Sequence, residues 1–287
     1  MEKNFKYLKI FIYFFSILYF IFYFFSNPEI LYQLKNLEFS ELLSLFFIRI
    51  FIFTLAALYL KELISGFKIK ISFLESFKVS NNSNLLNYFT PFRGGAGYRA
   101  LYFKNMYNLN FKNFSKTLII YYIFTFVQCT GVLLICLMNP QKFNYFFVFS
   151  IIFFSITAFM FFNKKYSFTN EIRNILNINV VLLRVFFIQL ALLASFALNN
   201  YFIFKFLNIN LNYNSVLILT CIGVLSTLLS LTPGSIGVRE AFFIYFNDLI
   251  NLTTFEIMQH SLLDRSINIV LLVIFFIISQ ALISKNA

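Results

Sequence analysis

An all-α polytopic transmembrane bundle of about seven or eight spans, with one or two broken or re-entrant helices, is the fold class this sequence predicts. Three observations predict it. Of 287 residues, 60% are hydrophobic and only 12% charged, against about 25% charged in a soluble domain. The apolar residues fall into runs near the roughly 20 residues that cross a hydrocarbon core about 30 Å thick. The scarce helix breakers gather in two short windows instead of being spread through the connections. A water-soluble globule is excluded. The length is expected to hold one integral membrane domain over residues 1–287 and no soluble domain beside it.

Composition narrows the function classes further. The 45 Phe accompany many Ile, Asn and Lys and no Trp, a pattern of compositional bias in which Phe and Ile serve as lipid-facing residues. The net charge of +12 is scattered through apolar sequence, so it carries topological information and does not build a nucleic-acid surface. Cys129, Cys136 and Cys221 lie in apolar runs without metal-ligand or disulfide spacing. His260 is the only histidine, which excludes a multi-His zinc site. No cofactor and no metal are expected.

The first run, Ile10 to Phe25, follows Lys3, Lys6 and Lys9 but lacks a small-residue cleavage site, so it reads as a retained first helix. Further runs cover Leu42 to Leu60, Thr117 to Met138, Phe143 to Phe162, Val180 to Phe204, Val216 to Leu231 and Ser266 to Ile283. Lys and Arg alternate between the connections. Only Lys35 follows the first run, nine basic residues lie between Lys61 and Lys116, and Lys142 stands alone after Met138. Lys164, Lys165 and Arg173 form the next cluster, and Lys205 is again alone. The positive-inside rule then puts the N-terminus, the long connection and the Lys164 region in the cytoplasm of a plasma-membrane protein.

Lys285 places the C-terminus there too, provided one more crossing lies between Leu231 and Ser266. The only apolar stretch available, Ala241 to Ile250, is too short to span alone. The preceding Leu231–Glu240 is therefore expected inside the membrane, as a re-entrant turn leading into a half-helix. Irregular backbone at that depth needs protein or a wet cavity to satisfy it. The long connection carries a second breaker, from Asn84 to Arg99, for which an amphipathic surface helix is an equal alternative.

The windows Pro91–Arg99 and Pro233–Glu240 make up 17 residues yet hold five of the eight Gly, two of the four Pro and three of the seven Arg. Both contain Pro-x-x-x-Gly, Pro91 to Gly95 and Pro233 to Gly237, the kind of paired interruption an inverted-repeat transporter shows near its substrate. Glycines allow close backbone approach, a half-helix start favours negative charge, and Arg presents a donor fork to phosphate. The candidate headgroup or phosphate site is therefore Arg93, Gly94, Gly95, Gly97, Arg99, Pro233, Gly234, Gly237, Arg239 and Glu240, with Asp264 and Arg265 as supporting charges. For that last pair, end-of-helix anchoring at the start of the final span is the competing reading. Arg49 lies mid-run with no partner evident, Arg184 is placed to snorkel, and Gln128 and Asn199 read as interhelical hydrogen-bond contacts.

Pro91-Phe-Arg-Gly-Gly-Ala-Gly-Tyr-Arg-Ala-Leu-Tyr-Phe-Lys, Thr232-Pro-Gly-Ser-Ile-Gly-Val-Arg-Glu-Ala and Leu262-Leu-Asp-Arg resemble, in this order, the transmembrane region of lysylphosphatidylglycerol synthetases and of stand-alone flippase-like proteins. The resemblance implies a helical bundle that moves a lipid-linked headgroup. It also implies, since the chain stops at Ala287, that the soluble aminoacyl-transferase domain is missing and that this polypeptide is not an enzyme of that kind. Many relatives carry a Glu-Arg type pair early in the helix after the first motif, where this chain reads Leu118-Ile-Ile-Tyr-Tyr.

The expected function is thus translocation of a phospholipid or polyprenyl-linked lipid across the plasma membrane, with both termini cytoplasmic. One alternative is a non-transporting membrane subunit for a partner synthetase or glycosyltransferase. The other, an intramembrane transferase using lipid-linked sugars, is disfavoured by the lack of an Asp-x-Asp pair. No nucleic-acid partner is expected.

Overall fold

The computed structural model describes residues 37–90, 93–138, 178–229 and 232–284. The expected runs Ile10–Phe25 and Phe143–Phe162, and the basic residues Lys142, Lys164, Lys165, Arg173 and Lys285, lie outside the described residues. Within them the chain is all-α and polytopic, an integral membrane bundle. Four helices are long and apolar enough to cross a membrane: Phe39–Ser65, Phe111–Leu137, Val180–Phe206 and Thr254–Ile278.

Nine helices are described. They are α1 (Phe39–Ser65), α2 (Phe73–Phe89), α3 (Gly94–Tyr107), α4 (Phe111–Met138), α5 (Ile178–Phe206), α6 (Tyr213–Leu228), α7 (Val238–Tyr245), α8 (Asn247–Ile250) and α9 (Thr254–Ser284). Local chemistry starts several of them. Ser72 and Asn212 cap α2 and α6 by accepting the N–H of Glu75 and Ser215 at 3.1 and 2.7 Å. Thr253 and Glu256 form a reciprocal capping box at α9.

Three expectations change. The run Val216–Leu231 is a helix of only 16 residues, Tyr213–Leu228, too short for a full crossing. The long connection is no surface helix: α2 buries Ser76, Ser80, Asn81, Asn82 and Ser83 against α1, α3 and α9. The final helix begins at Thr254, so Asp264 and Arg265 stand inside it, buried, and not at its start. End-of-helix anchoring is thereby overturned, because at 1.5 Å per residue Asp264 sits roughly 15 Å along the helix. The expected half-helix after Gly237 is present as α7, and Arg184 keeps its side chain 61% exposed beside Glu62 at 3.5 Å.

The described chain repeats one plan. A long helix, a helical hairpin and a second long helix occur as α1, α2–α3, α4 and again as α5, α6–α7/α8, α9. The hairpins fold back on themselves. Ser83 donates to the Gly95 carbonyl at 2.9 Å, while Tyr102 and Tyr107 both donate to Glu75 at the other end, at 2.9 and 2.6 Å. Those bonds to Glu75 hold Tyr107 up to about 12. In the second hairpin Phe243 lies against Gly223, and Ile218, Ile222, Phe243 and Ile250 share one cluster.

The halves are antiparallel to each other. Arg184 near the start of α5 reaches Glu62 near the end of α1, whereas Leu45 and Ile203 pack at the opposite end. Likewise α2 runs against α9, with Phe77 on Phe275 (ring centroids 5.2 Å) and Tyr88 bonded to Asn268. Its counterpart, α6 against α4, has Arg93 bridging Tyr122 and Thr227 at one end and Cys136 beside Ile218 at the other. Exchanging the two halves maps the α1–α5 pairing onto itself and α2–α9 onto α6–α4, which is the arrangement of an inverted repeat.

Candidate functional site

The first hairpin tip is built by close approach. Arg93 adopts left-handed φ 54° at the start of α3. A Cβ on Gly95 would stand 1.9 Å from the Ser83 carbonyl oxygen, so only glycine lets α3 rest on α2 there. The Gly95 N–H donates to Asn87 Oδ1 at 2.9 Å, and the Ala96 N–H to the Arg93 carbonyl at 2.8 Å. Gly94 abuts the Thr90 side chain, whereas Gly97 faces open space. Gly94 and Gly95 pack the hairpin, and the Gly95 N–H is used inside it.

The second tip is a single 3₁₀ turn, Pro233–Ser235, with Pro233 buried and Gly234, Ser235 and Gly237 all at positive φ. Gly234 lies under the Tyr88 ring, where a Cβ would meet Cδ1 at 2.9 Å. The Gly237 N–H donates to Glu240 Oε2 at 2.8 Å. Glu240 thus occupies the positive end of α7 that was expected to attract a phosphate.

Five buried or half-buried charges from three helices interlock behind this tip. Asp264 accepts from Arg49, from Asn199 Nδ2 at 3.0 Å and from Arg239 Nη1 at 2.8 Å. Glu240 accepts from Arg265 at 2.7 Å and from the Ser261 hydroxyl. Arg265 also donates to the carbonyls of Gly234 and Ser235 at 2.7 and 3.3 Å. Arg265 thereby satisfies backbone left open by the break, which is what irregular structure among membrane helices requires. It and Glu240 clamp the tip; Arg49, Asp264 and Arg239 face inward.

Both tips line one cavity of about 350 Å³. Arg93, Arg99, Gly234 and Arg239 of the expected site lie on its wall together with Arg49 and Asp264. Gly94, Gly95, Gly97, Pro233, Gly237, Glu240 and Arg265 do not. Among the described lining residues, four arginines stand against one carboxylate. Arg99 donates to Asn84 Oδ1 at 3.1 Å and has no carboxylate partner among the described residues. Arg93 donates to Tyr122 Oη at 3.0 Å and to the Thr227 carbonyl, tying the first tip to the end of α6.

Several wall residues carry no sequence signal. Asn84, Tyr88, Tyr121, Tyr122, Gln189 and Asn268 are ordinary polar residues in apolar or Asn-rich sequence, and only the hairpin folding makes them neighbours. Gln128 and Asn199 do make the interhelical contacts expected of them, to the Phe186 carbonyl at 3.1 Å and to Asp264.

Among curated proteins and among solved structures, none matches the chain. The family defined by the lysylphosphatidylglycerol synthase transmembrane region matches residues 7–275, spanning both hairpins, three of the four long described helices and the fourth as far as residue 275. The motifs that first pointed to it form the two tips and the charged face of α9. The chain belongs to the lysylphosphatidylglycerol synthase transmembrane-region family.

Proposed function

We propose that this protein binds the anionic headgroup of a membrane lipid between its two hairpin tips and carries it across the plasma membrane, with both termini cytoplasmic. The observation that carries the proposal is that, among the described residues, four arginines and one carboxylate line a cavity walled by both tips. Charge excess inside a membrane bundle is unfavourable unless an anion offsets it. Guanidinium forks suit the oxygens of a phosphodiester.

The antiparallel halves supply a route for movement. Rocking one half against the other would turn the same cavity from one leaflet to the other. Arg49 of the first half and Asp264 and Arg239 of the second would part or re-form as the headgroup enters and leaves. The role is transport and not group transfer.

Purified chain in vesicles with acyl-labelled fluorescent phosphatidylglycerol tests this through the label reached by an impermeant quencher. The expected result is complete quenching at a rate well above that of empty vesicles, lowered about tenfold or more in Arg239→Gln. A rate equal to empty vesicles would overturn transport and favour a lipid-holding subunit for a partner enzyme.

A further inference from the structure

Both carboxylates of the network are already engaged by arginine. Asp264 takes Arg49 and Arg239, and Glu240 takes Arg265. An amine-bearing headgroup would have to displace a guanidinium from one of them and leave it unpaired in a buried setting. It would also face the remaining cavity arginines across a medium that screens poorly.

Another part of the wall is neutral and short of donors. Gln128 donates its amide Nε2 to the Phe186 carbonyl, and Gln189 donates its own to Thr125 Oγ1 at 3.0 Å. The Thr125 hydroxyl is itself given to the Tyr121 carbonyl at 2.8 Å, so it can only accept from Gln189. Both amide orientations are fixed by these bonds. Both Oε1 atoms are left as acceptors with no hydrogen-bond partner among the described residues, and beside them stand the unpartnered hydroxyls of Tyr59 and Ser80, which can accept or donate. All four residues line the cavity and are less than a tenth exposed. The buried nitrogen donors on the wall that lack a hydrogen bond are of another kind, the Nε atoms of Arg49, Arg99 and Arg239.

Buried acceptors without donors are destabilising until a ligand supplies them. Hydroxyls supply them without bringing charge, and phosphate oxygens meet the guanidinium donors. About 350 Å³ is at the small end of ligand pockets, which suits a headgroup and not a whole lipid. We propose that the cavity selects an anionic phosphodiester headgroup bearing free hydroxyls and no amine, such as a glycerol or sugar ester of phosphate. This rests on the carrier role above. Gln128, Gln189, Tyr59 and Ser80 receive the hydroxyls; Arg49, Arg99 and Arg239 hold the phosphate.

Native mass spectrometry of the full chain, offered equimolar phosphatidylglycerol, phosphatidylinositol, phosphatidylethanolamine and lysylphosphatidylglycerol, reads the selectivity as a ratio. The two hydroxylated, amine-free lipids are expected to be retained about tenfold over the two amine-bearing ones. Gln189→Glu puts a carboxylate on the neutral wall and is expected to shift that ratio toward the amine-bearing lipids. Gln128→Glu provides the same readout should the first variant not fold.

Equal or preferred retention of amine-bearing lipids would overturn the selectivity while leaving the carrier role standing. Retention of no lipid at all would overturn the carrier role, and the selectivity with it. Displacement of phosphatidylglycerol by millimolar glycerol 3-phosphate would keep the headgroup chemistry but overturn its lipid source.

Discussion

Arg49 and Asp264 form a buried ion pair between the first described helix of one half and the last described helix of the other, 215 positions apart. Each charge alone would cost on the order of 3 kcal/mol at mid-membrane on insertion scales. Together, and with Arg239 and Asn199 on the same carboxylate, they join the halves and form part of the cavity wall. The pair therefore links stability to the site.

Asp264→Asn leaves Arg49 and Arg239 facing each other without their shared carboxylate. The expected loss is about 3–5 kcal/mol, seen as a lower melting temperature in detergent. Because Arg239 retains Glu240 at 3.7 Å, Arg49→Leu combined with Asp264→Leu is expected to recover much of that loss. Additive single effects in this double-mutant cycle would contradict a direct Arg49–Asp264 coupling.

The glycines of the first window separate by role. Gly95→Ala drives a methyl into the Ser83 carbonyl and is expected to destabilise by about 1–3 kcal/mol. Gly97→Ala meets nothing within 4 Å, lies inside α3, and is expected to leave stability unchanged or raise it by up to about 1 kcal/mol. Thermal unfolding of the two variants side by side checks this; equal losses would contradict the packing account of the window.

Arg99 has an amide partner but no carboxylate among the described residues, so its removal unpairs no opposite charge. Arg99→Gln is expected to keep the melting temperature close to the parent's while lowering retention of phosphatidylglycerol by about tenfold. Normal retention, or collapse of the fold, would remove Arg99 from the binding wall.

The antiparallel relation of the halves places Glu62 beside Arg184. With Cys129, Cys136 and Cys221 replaced by Ser, cysteines at 62 and 184 are expected to be joined by a short bifunctional thiol reagent. The pairing of 45 with 184 is expected to stay unjoined, since Leu45 packs with Ile203 at the other end. The reverse pattern would contradict an inverted repeat.

Most of the long helices were legible because a spanning helix needs little beyond a run of apolar residues, and α1, α4 and α5 are such runs. The α2 helix was not, because Ser76, Ser80, Asn81, Asn82 and Ser83 break up any apolar run and are tolerated only by burial against neighbours. The first third of α9 was missed for the same reason. Gln259, His260, Ser261, Asp264 and Arg265 look like interfacial residues but are all buried, His260 stacked on Phe204 with ring centroids 4.5 Å apart. The two windows were found by the clustering of breakers, and both tips do reach one cavity. Their chemistry was only half legible, since Gly95 and Gly237 spend their N–H groups within the hairpins. Arg49 and Asn199 gave no sign of Asp264, because contacts across such separations leave no spacing pattern.

In the proposed function both hairpin tips hold one lipid headgroup. Phosphatidylglycerol carrying a photoreactive diazirine on its headgroup, crosslinked to the full chain and mapped by peptide mass spectrometry, tests it most directly. Labels are expected on cavity residues of both halves, between 80 and 99 and between 227 and 239, weakened together by Arg99→Gln or by Arg239→Gln. Labelling confined to the lipid-exposed faces of α1, α4 and α5, and unchanged in either variant, would contradict it.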